Sequence, residues 1–226
     1  MDDGKYVVFD FDGTLADTID LSIRLYNKVA PEYNCKTVDP ADRYLLASRN
    51  PKELMHEAGI TGIKLTKLVL HVRKELGRHI HETEPAPGII PALEEIRGAG
   101  FRLGVLTSNS RENVDRFCNN NFKPGTFDFI YSGRNIFGKD RVIRRMLDRE
   151  NIAVDRVVYV GDETRDIEAC KKARVPVIAV CWGLSRREPL ASLHPDRIAD
   201  KPEELPGYVQ LILGENKSDE KQRIII

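Results

Sequence analysis

Cysteine is scarce and unpatterned in this 226-residue chain: Cys35, Cys118, Cys170 and Cys181 form no Cys-x-x-Cys pair and no regular framework. That argues against a disulfide scaffold and against a cysteine-held zinc site, and it predicts reduced, partly buried thiols. No cysteine stands at ligand spacing from His56, His71, His79, His81 or His194, and His79 and His81 flank one residue, which on a helix sends them to different faces. Excess charge is also missing. Lys+Arg and Asp+Glu stand at 35 each, so no global field favours a nucleic acid polymer or an acidic membrane. No apolar run approaches the roughly 20 residues needed to span a bilayer. The chain opens Met1-Asp2-Asp3 and runs straight into a candidate strand, a start that predicts no signal peptide and, with the reduced thiols, a cytoplasmic protein. Internal repeats and low-complexity segments are absent.

What is present suits a globular protein: 41% apolar and 31% charged residues, in a length that allows one large domain or a core with a smaller insert. Five short apolar runs have strand character: Tyr6 to Phe11, Arg102 to Thr107, Phe127 to Tyr131, Val157 to Val160 and Val175 to Val180. Their nearly continuous apolarity predicts burial on both faces, as in a parallel sheet. Helical patterns at Ile89 to Ala99, Glu112 to Asn120, Asp140 to Glu150 and Asp166 to Ala173 separate most of them. Alternation of this kind predicts an α/β fold with right-handed crossovers.

The segment from about Ala16 to Glu84 breaks the alternation. Ile19-Ile23-Tyr26-Ala30, Leu54-Ala58 and Leu65-Leu68-Val72-Leu76 read as amphipathic helices, with no convincing strand among them. A helical block between the first two strands predicts a small subdomain over residues 16–86, set on a core of 1–15 and 87–213. Glu84-Pro85-Ala86-Pro87-Gly88 forms a stiff return linker, and the other hinge lies near Ala16-Asp17-Thr18. Two hinges beside the first strand's end would let the insert open and close over its tip. Residues 214–226 read as a polar tail ending in Ile224-Ile225-Ile226, either frayed or a short added strand.

The chemistry concentrates at strand ends, where open α/β sheets bind ligands. The first strand runs into Asp10-Phe11-Asp12-Gly13-Thr14. Carboxylates at i and i+2 on extended backbone share a face, and two like charges so close need a cation between them or a proton on one. The second strand ends in Thr107-Ser108-Asn109-Ser110. Lys139 follows the third at the start of a helix, and Gly161-Asp162-Glu163-Thr164-Arg165-Asp166 follows the fourth.

In this order the residues resemble the four motifs of the haloacid dehalogenase-type phosphohydrolase superfamily, in its phosphoglycolate phosphatase-like branch. Asp10-x-Asp12-Gly13-Thr14 matches the first motif, Thr107 the second, Lys139 the third, and Gly161-Asp162 with Asp166 the fourth. The resemblance runs from about Lys5 to Tyr208 and implies a Rossmann-like parallel core of that superfamily's type, with a small all-α cap inserted after the first strand. It implies a phosphatase that hydrolyses a small phosphate monoester, phosphoglycolate or a sugar or nucleoside monophosphate, through an aspartyl-phosphate. Asp10 is then the nucleophile and Asp12 the acid–base partner. Thr107, Ser108, Asn109 and Lys139 hold the phosphoryl oxygens. Mg²⁺ is ligated by Asp10, the Asp12 main-chain carbonyl and Asp162, with Asp166 in support and Glu163 nearby.

Each assignment has a plainer counterpart. Asp-x-Asp-Gly suits a turn, Asp162 and Asp166 suit a helix N-terminus, and Thr107-Ser108-Asn109 suits a helix cap, which is itself compatible with anion binding. Ser108 is the alternative to Thr107, and Lys123 and Arg141 are alternatives to Lys139. Among insert residues, Arg49 in the basic stretch Ser48-Arg49-Asn50-Pro51-Lys52 is the preferred contact for the leaving group, with Arg43 and His56 as further candidates. Arg73, Lys74 and Arg78 read as an exposed helix face, and Trp182-Gly183 as structural packing. The same motifs admit a phosphomutase of the β-phosphoglucomutase type. A dehalogenase has no need of Asp12, and a phosphonatase needs a cap lysine that Lys52, Lys64 and Lys67 do not single out. A non-catalytic regulatory protein on this scaffold predicts a lost acid, and none is lost. The expected partner is a small phosphorylated metabolite, bound by a monomer or a homodimer.

Overall fold

The computed structural model describes residues 4–39, 62–133 and 138–214. Six strands form one sheet: β1 (Tyr6–Phe9), β2 (Arg102–Thr107), β3 (Phe129–Ser132), β4 (Val157–Gly161), β5 (Val177–Val180) and β6 (Arg197–Ala199). All pairings are parallel and the spatial order is β3-β2-β1-β4-β5-β6. β1 lies centrally, with Tyr6 opposite Arg102 on one side and Val157 on the other. The chain builds outward from β1 to β3, then returns to start again at β4. The direction therefore reverses between β1 and β4, and a crevice opens at their carboxyl ends.

Alternation along the strands explains the apolar runs. Val7 and Phe9, Val158 and Val160, and Ile178 and Val180 enter one core cluster. Tyr6 and Val8, Val157 and Tyr159, and Val177 and Ala179 enter the other. Helices cover both faces. α3 (Ile89–Gly98), α4 (Arg111–Asn121) and α8 (Leu205–Leu213) supply Leu93, Ile96, Phe117 and Val209 to the first cluster. α5 (Lys139–Glu150), α6 (Thr164–Ala173) and α7 (Arg187–Ser192) supply Ile143, Met146, Ile167 and Leu190 to the second. Each such side chain, fully buried, contributes about 1.5–3 kcal/mol.

Some details differ from the sequence expectations. β1 ends at Phe9 rather than Phe11, because the backbone turns where Thr14, Leu15 and Ala16 donate back to the Phe11 carbonyl. Asp10 stays tied to the neighbouring strand through its amide, whereas Asp12 is placed by the turn, which Gly13 permits at φ +78°, and not by strand alternation. β6 was not expected: three residues containing an exposed arginine carry too little periodicity to be read. β3 lies two residues later than expected at its start, at Phe129–Ser132.

In the insert, α1 (Ile19–Val29) packs on α2 (Gly62–His79). Leu21, Leu25 and Leu76 form one small cluster, and Val29, Ala30, Cys35 and Leu68 another, both separate from the two sheet clusters. The connections to the sheet are paired. Asp17 donates to the Glu84 carbonyl at 2.9 Å and Ala86 to the Leu15 carbonyl at 2.9 Å, about an antiparallel bridge of Ala16 with Pro85. His79 and His81 do not diverge: α2 gives way to a 3₁₀ turn at Ile80–Glu82, and their rings stack 6.5 Å apart. Among the described residues no helix is long and apolar enough to cross a membrane.

Candidate active site

The turn after β1 and the loop after β4 meet in the crevice. The Asp10 amide donates to the Val160 carbonyl at 2.8 Å, which ties β1's end to β4. Asp10 is buried. One carboxylate oxygen accepts from the Phe11 amide at 2.7 Å and the other from Lys139 Nζ at 2.7 Å. Lys139 enters as the first residue of α5, after Gly138 at φ +87°, and its ammonium also reaches Asp166 at 2.5 Å, above the Tyr159 ring. Burial opposes the lysine's charge, but Asp10 and Asp166 more than offset it, so its pKa is raised.

Asp162 sits in a slot with glycines on both sides. A Cβ on Gly13 or on Gly183 would collide with its carboxylate. Thr14 Oγ1 donates to it at 2.7 Å and the Leu184 amide at 2.8 Å. Asp166 accepts from the Glu163 amide at 3.2 Å and closes a capping box at the start of α6, so its helix-capping role and its grip on Lys139 coexist.

Ligand oxygens of Asp10, Asp162 and Asp166, all buried, lie within 4.8 Å of one another. Burial, followed by Glu163, Asp10 and Asp166, lifts the Asp162 carboxyl well above its ordinary range, and burial lifts that of Asp166 against the pull of Lys139. Such a trio is unfavourable as bare anions. Its all-oxygen donor set suits a hard divalent cation, and each carboxylate keeps lone pairs beyond those its hydrogen bonds use.

Asp12 stands at the edge of this trio, half-buried. Burial first, then the Asp10 charge, raise its carboxyl to about 6, with the Asn109 amide acting in the opposite direction. A carboxyl in that range can give and take a proton near neutral pH. Thr107 ends β2 buried, its hydroxyl accepting from the Asn109 amide at 2.9 Å. A small hollow is lined by Thr107, Ser108, Lys139 and Arg165 among others, two of them cations. These groups can receive the oxygens of a phosphoryl group.

Asn109, expected beside the phosphoryl group, lies against Asp12. The Asn109 amide nitrogen lies 3.1 Å from both Asp12 carboxylate oxygens, while its oxygen accepts from the Ser110 amide and from Asn113 Nδ2. Its side-chain amide is thus engaged at both ends, by Asp12 on one side and by Ser110 and Asn113 on the other. The local cause is the start of α4: Ser110 is the N-cap, its hydroxyl accepting from the Asn113 backbone N–H, and its own backbone N–H donates to Asn109 Oδ1 at 2.7 Å. Of the rivals to Lys139, Lys123 pairs with Glu94 on an exposed surface. Arg49, with Arg43, Lys52 and His56, lies outside the described residues, as do Leu54 to Ala58 and residues 215–226.

Several site groups were not read from the sequence. Thr14 was quoted only as part of its motif, Leu184 acts through its backbone, and Gly183 matters for the side chain it lacks. Arg73 was expected on an exposed face. It is half-buried on α2, burial lowers its guanidinium pKa, and Asp12 and Arg165 are its charged neighbours. Lys74 and Arg78 are exposed as expected. Trp182 packs as expected and donates to the Thr14 carbonyl at 3.1 Å.

Residues 7–180 match the model of the haloacid dehalogenase-like hydrolases. The chain belongs to that family. It is 31% identical over 199 residues to the phosphoglycolate phosphatase of Synechococcus elongatus, covering 88% of this chain and 94% of that one. It is 23% identical over 214 residues to the pyrophosphatase PpaX of Bacillus mycoides, covering 92% and 98%. The crystal structure of a predicted phosphatase from Clostridium acetobutylicum superposes with a TM-score of 0.81 at 21% identity, covering 92% of this chain and 99% of that one, and it shows the same fold. This haloacid dehalogenase-like chain is therefore an enzyme, a hydrolase of the phosphatase type.

Proposed function

We propose that this enzyme hydrolyses a small phosphate monoester, phosphoglycolate foremost, through an aspartyl-phosphate on Asp10, with Mg²⁺ as its metal. The observation that carries the reading is the placement of Asp10: buried, 2.7 Å from Lys139 Nζ, and beside two further buried carboxylates at the crevice between β1 and β4. Asp10 attacks the phosphorus. Asp12, with its carboxyl raised to about 6, protonates the departing alkoxide and later takes a proton from the water that cleaves the acyl phosphate. Lys139, Thr107 and Ser108 hold the phosphoryl oxygens, Lys139 as a compact charge that also keeps Asp10 in place. Asp10, the Asp12 carbonyl and Asp162 would hold Mg²⁺, with Asp166 in support. Bound there, the ion supplies the positive charge that lets an anionic nucleophile approach an anionic ester.

Residues 16–86 serve as a cap over the crevice, 1–15 with 87–213 as the catalytic core, and 214–226 as a tail. The separate apolar clusters of α1 and α2 and the paired hinge at Leu15–Asp17 and Glu84–Ala86 support this division. Arg73, with Asp12 among its charged neighbours, supports an anionic leaving group such as a carboxylate-bearing alcohol. We read the enzyme as cytoplasmic. Phosphate release from a panel of phosphorylated metabolites, with Mg²⁺ and with EDTA, tests the whole. Turnover of phosphoglycolate that EDTA abolishes is expected, and silence across the panel refutes the reading.

A further inference from the structure

Asparagine is an unusual residue to bury, and this site buries two in contact. Asn109 and Asn113 are 2% and 6% exposed, and both are hydrogen-bonded to polar neighbours. Their orientation follows from chemistry. The Ser110 backbone N–H can only donate, and it meets the oxygen end of Asn109 at 2.7 Å. The nitrogen end therefore faces Asp12, 3.1 Å from each carboxylate oxygen. Asn113, one helical turn on, donates from Nδ2 to the same Asn109 oxygen at 2.9 Å. Its own oxygen end is thereby turned toward α2, where a Cβ on Gly77 would come within 2.5 Å of it. Arg116 of α4 donates to the Gly77 carbonyl at 3.0 Å and fixes that contact from the outside. The backbone of Asn109 is held as firmly, by Thr107 Oγ1 on its amide at 2.9 Å and by the Ser132 hydroxyl on its carbonyl at 2.6 Å.

We infer that Asn109 is the positioning residue for the proton-transferring carboxyl of Asp12, and that Asn113 and the close approach of Gly77 couple that placement to the seating of α2. A carboxyl hinged on one side chain must hold its rotamer to within a fraction of an ångström to meet a leaving oxygen. Asn109 Nδ2 reaches both oxygens of Asp12, so it holds the carboxyl group in position as a whole and not merely by one atom. Asn113 removes the freedom of Asn109 to swing. Because α2 belongs to the insert, the chain Gly77–Asn113–Asn109–Asp12 runs from the insert to the reacting proton through buried amides. When α2 is seated, Asn113 is clamped and the carboxyl is aimed; when α2 lifts, Asn113 gains room.

This inference rests on the acid–base role proposed for Asp12, and its test separates the two. Phosphoryl transfer from p-nitrophenyl phosphate releases a phenolate that needs no proton, whereas transfer from phosphoglycolate releases an alkoxide that does. The ratio of kcat/KM values for the alkyl and aryl esters therefore reports proton donation and is insensitive to a general loss of active protein. Asp12→Asn should lower that ratio by roughly 10²-fold or more. Asn109→Ala and Asn113→Ala should each lower it by about tenfold, and Gly77→Ala, which displaces Asn113 from a distance, by a smaller factor in the same direction. Thermal melts of each variant confirm that folded protein is being assayed. If Asp12→Asn leaves the ratio unchanged, the role of Asp12 is wrong. If Asp12→Asn lowers it but Asn109→Ala lowers both esters equally, Asn109 is structural and the inference is overturned. A Gly77→Ala ratio equal to wild type, with Asn109→Ala effective, overturns the coupling to α2.

Discussion

Gly183→Ala should damage the proposed metal site without replacing any of its acids. Gly183 follows β5, and the methyl group of an alanine there would fall on Cβ, Cγ and Oδ2 of Asp162, well inside van der Waals contact. Asp162 is fully buried and cannot step aside on the other flank, because Gly13 leaves room for no more than the carboxylate already there. Its movement breaks the hydrogen bonds from Thr14 Oγ1 at 2.7 Å and the Leu184 amide at 2.8 Å. Overpacking a filled site costs about 1–3 kcal/mol. Each of the two hydrogen bonds is worth roughly 0.5–1.5 kcal/mol, of which partial relaxation returns some. A loss of about 3 kcal/mol is expected from urea denaturation in EDTA, a fall of roughly 6–12 °C in Tm for a chain of this size. Mg²⁺ affinity by titration calorimetry should drop about 10–100-fold, the range for losing a group that orients a ligand. Gly207→Ala is the control: it lies in α8 with nothing within 4 Å of the added methyl, and should stabilise by up to about 1 kcal/mol. A Gly183→Ala protein within about 0.5 kcal/mol of wild type and with unchanged metal affinity would refute the slot.

Lys139→Met strips the cation from between Asp10 and Asp166. Turnover should fall by about 10²-fold or more, and Lys139→Arg should not restore it, because a planar fork cannot sit where a point charge bridges two carboxylates. Asp10→Asn should leave urea stability near wild type while abolishing phosphate release; a retained rate moves the nucleophile elsewhere. Stability without metal should depend on pH in an unusual direction. Asp12 is raised from 3.8 to about 6, and Asp162 and Asp166 are raised as well, so the folded state binds these protons more tightly than the unfolded chain. Unfolding free energy then falls as pH climbs from the ordinary carboxyl range through 6, and the urea midpoint in EDTA should be higher near about pH 5 than near about pH 7.5. Saturating Mg²⁺ should narrow or reverse the difference, since a cation favours the ionised carboxylates; a midpoint in EDTA that rises with pH contradicts the argument.

Much of the fold could be read ahead because burial on both sheet faces writes itself into composition. Val7-Val8-Phe9 and Val157-Val158-Tyr159-Val160 leave no polar residue to face water, so they announce a parallel sheet. β6 escaped because Arg197-Ile198-Ala199 is an edge strand of three residues with one exposed charge. In the site, Asp10, Thr107, Lys139, Asp162 and Asp166 were each legible as chemistry following a strand or opening a helix. The contact of Asn109 with Asp12 was not legible, because an amide serves an anionic ester and an aspartate equally well, and the Ser110 N–H at the start of α4 orients it only in the folded chain.

Sequence alone determined the inventory of this hydrolase: a parallel α/β core, a helical insert after its first strand, and the acids, hydroxyl and lysine in their order. Those follow from local rules, since periodicity, turn residues and residue chemistry act over a few positions. Tertiary structure alone decided who touches whom. Lys139 meets Asp10 from 129 positions away, Thr14 meets Asp162 from 148, and Gly183 makes room for an acid just past the end of the neighbouring strand. Such contacts depend on strand order and on the depth to which each loop is packed, and no window of sequence contains both partners. The same holds for Gly77, whose missing side chain has a reason only once α2 lies against α4.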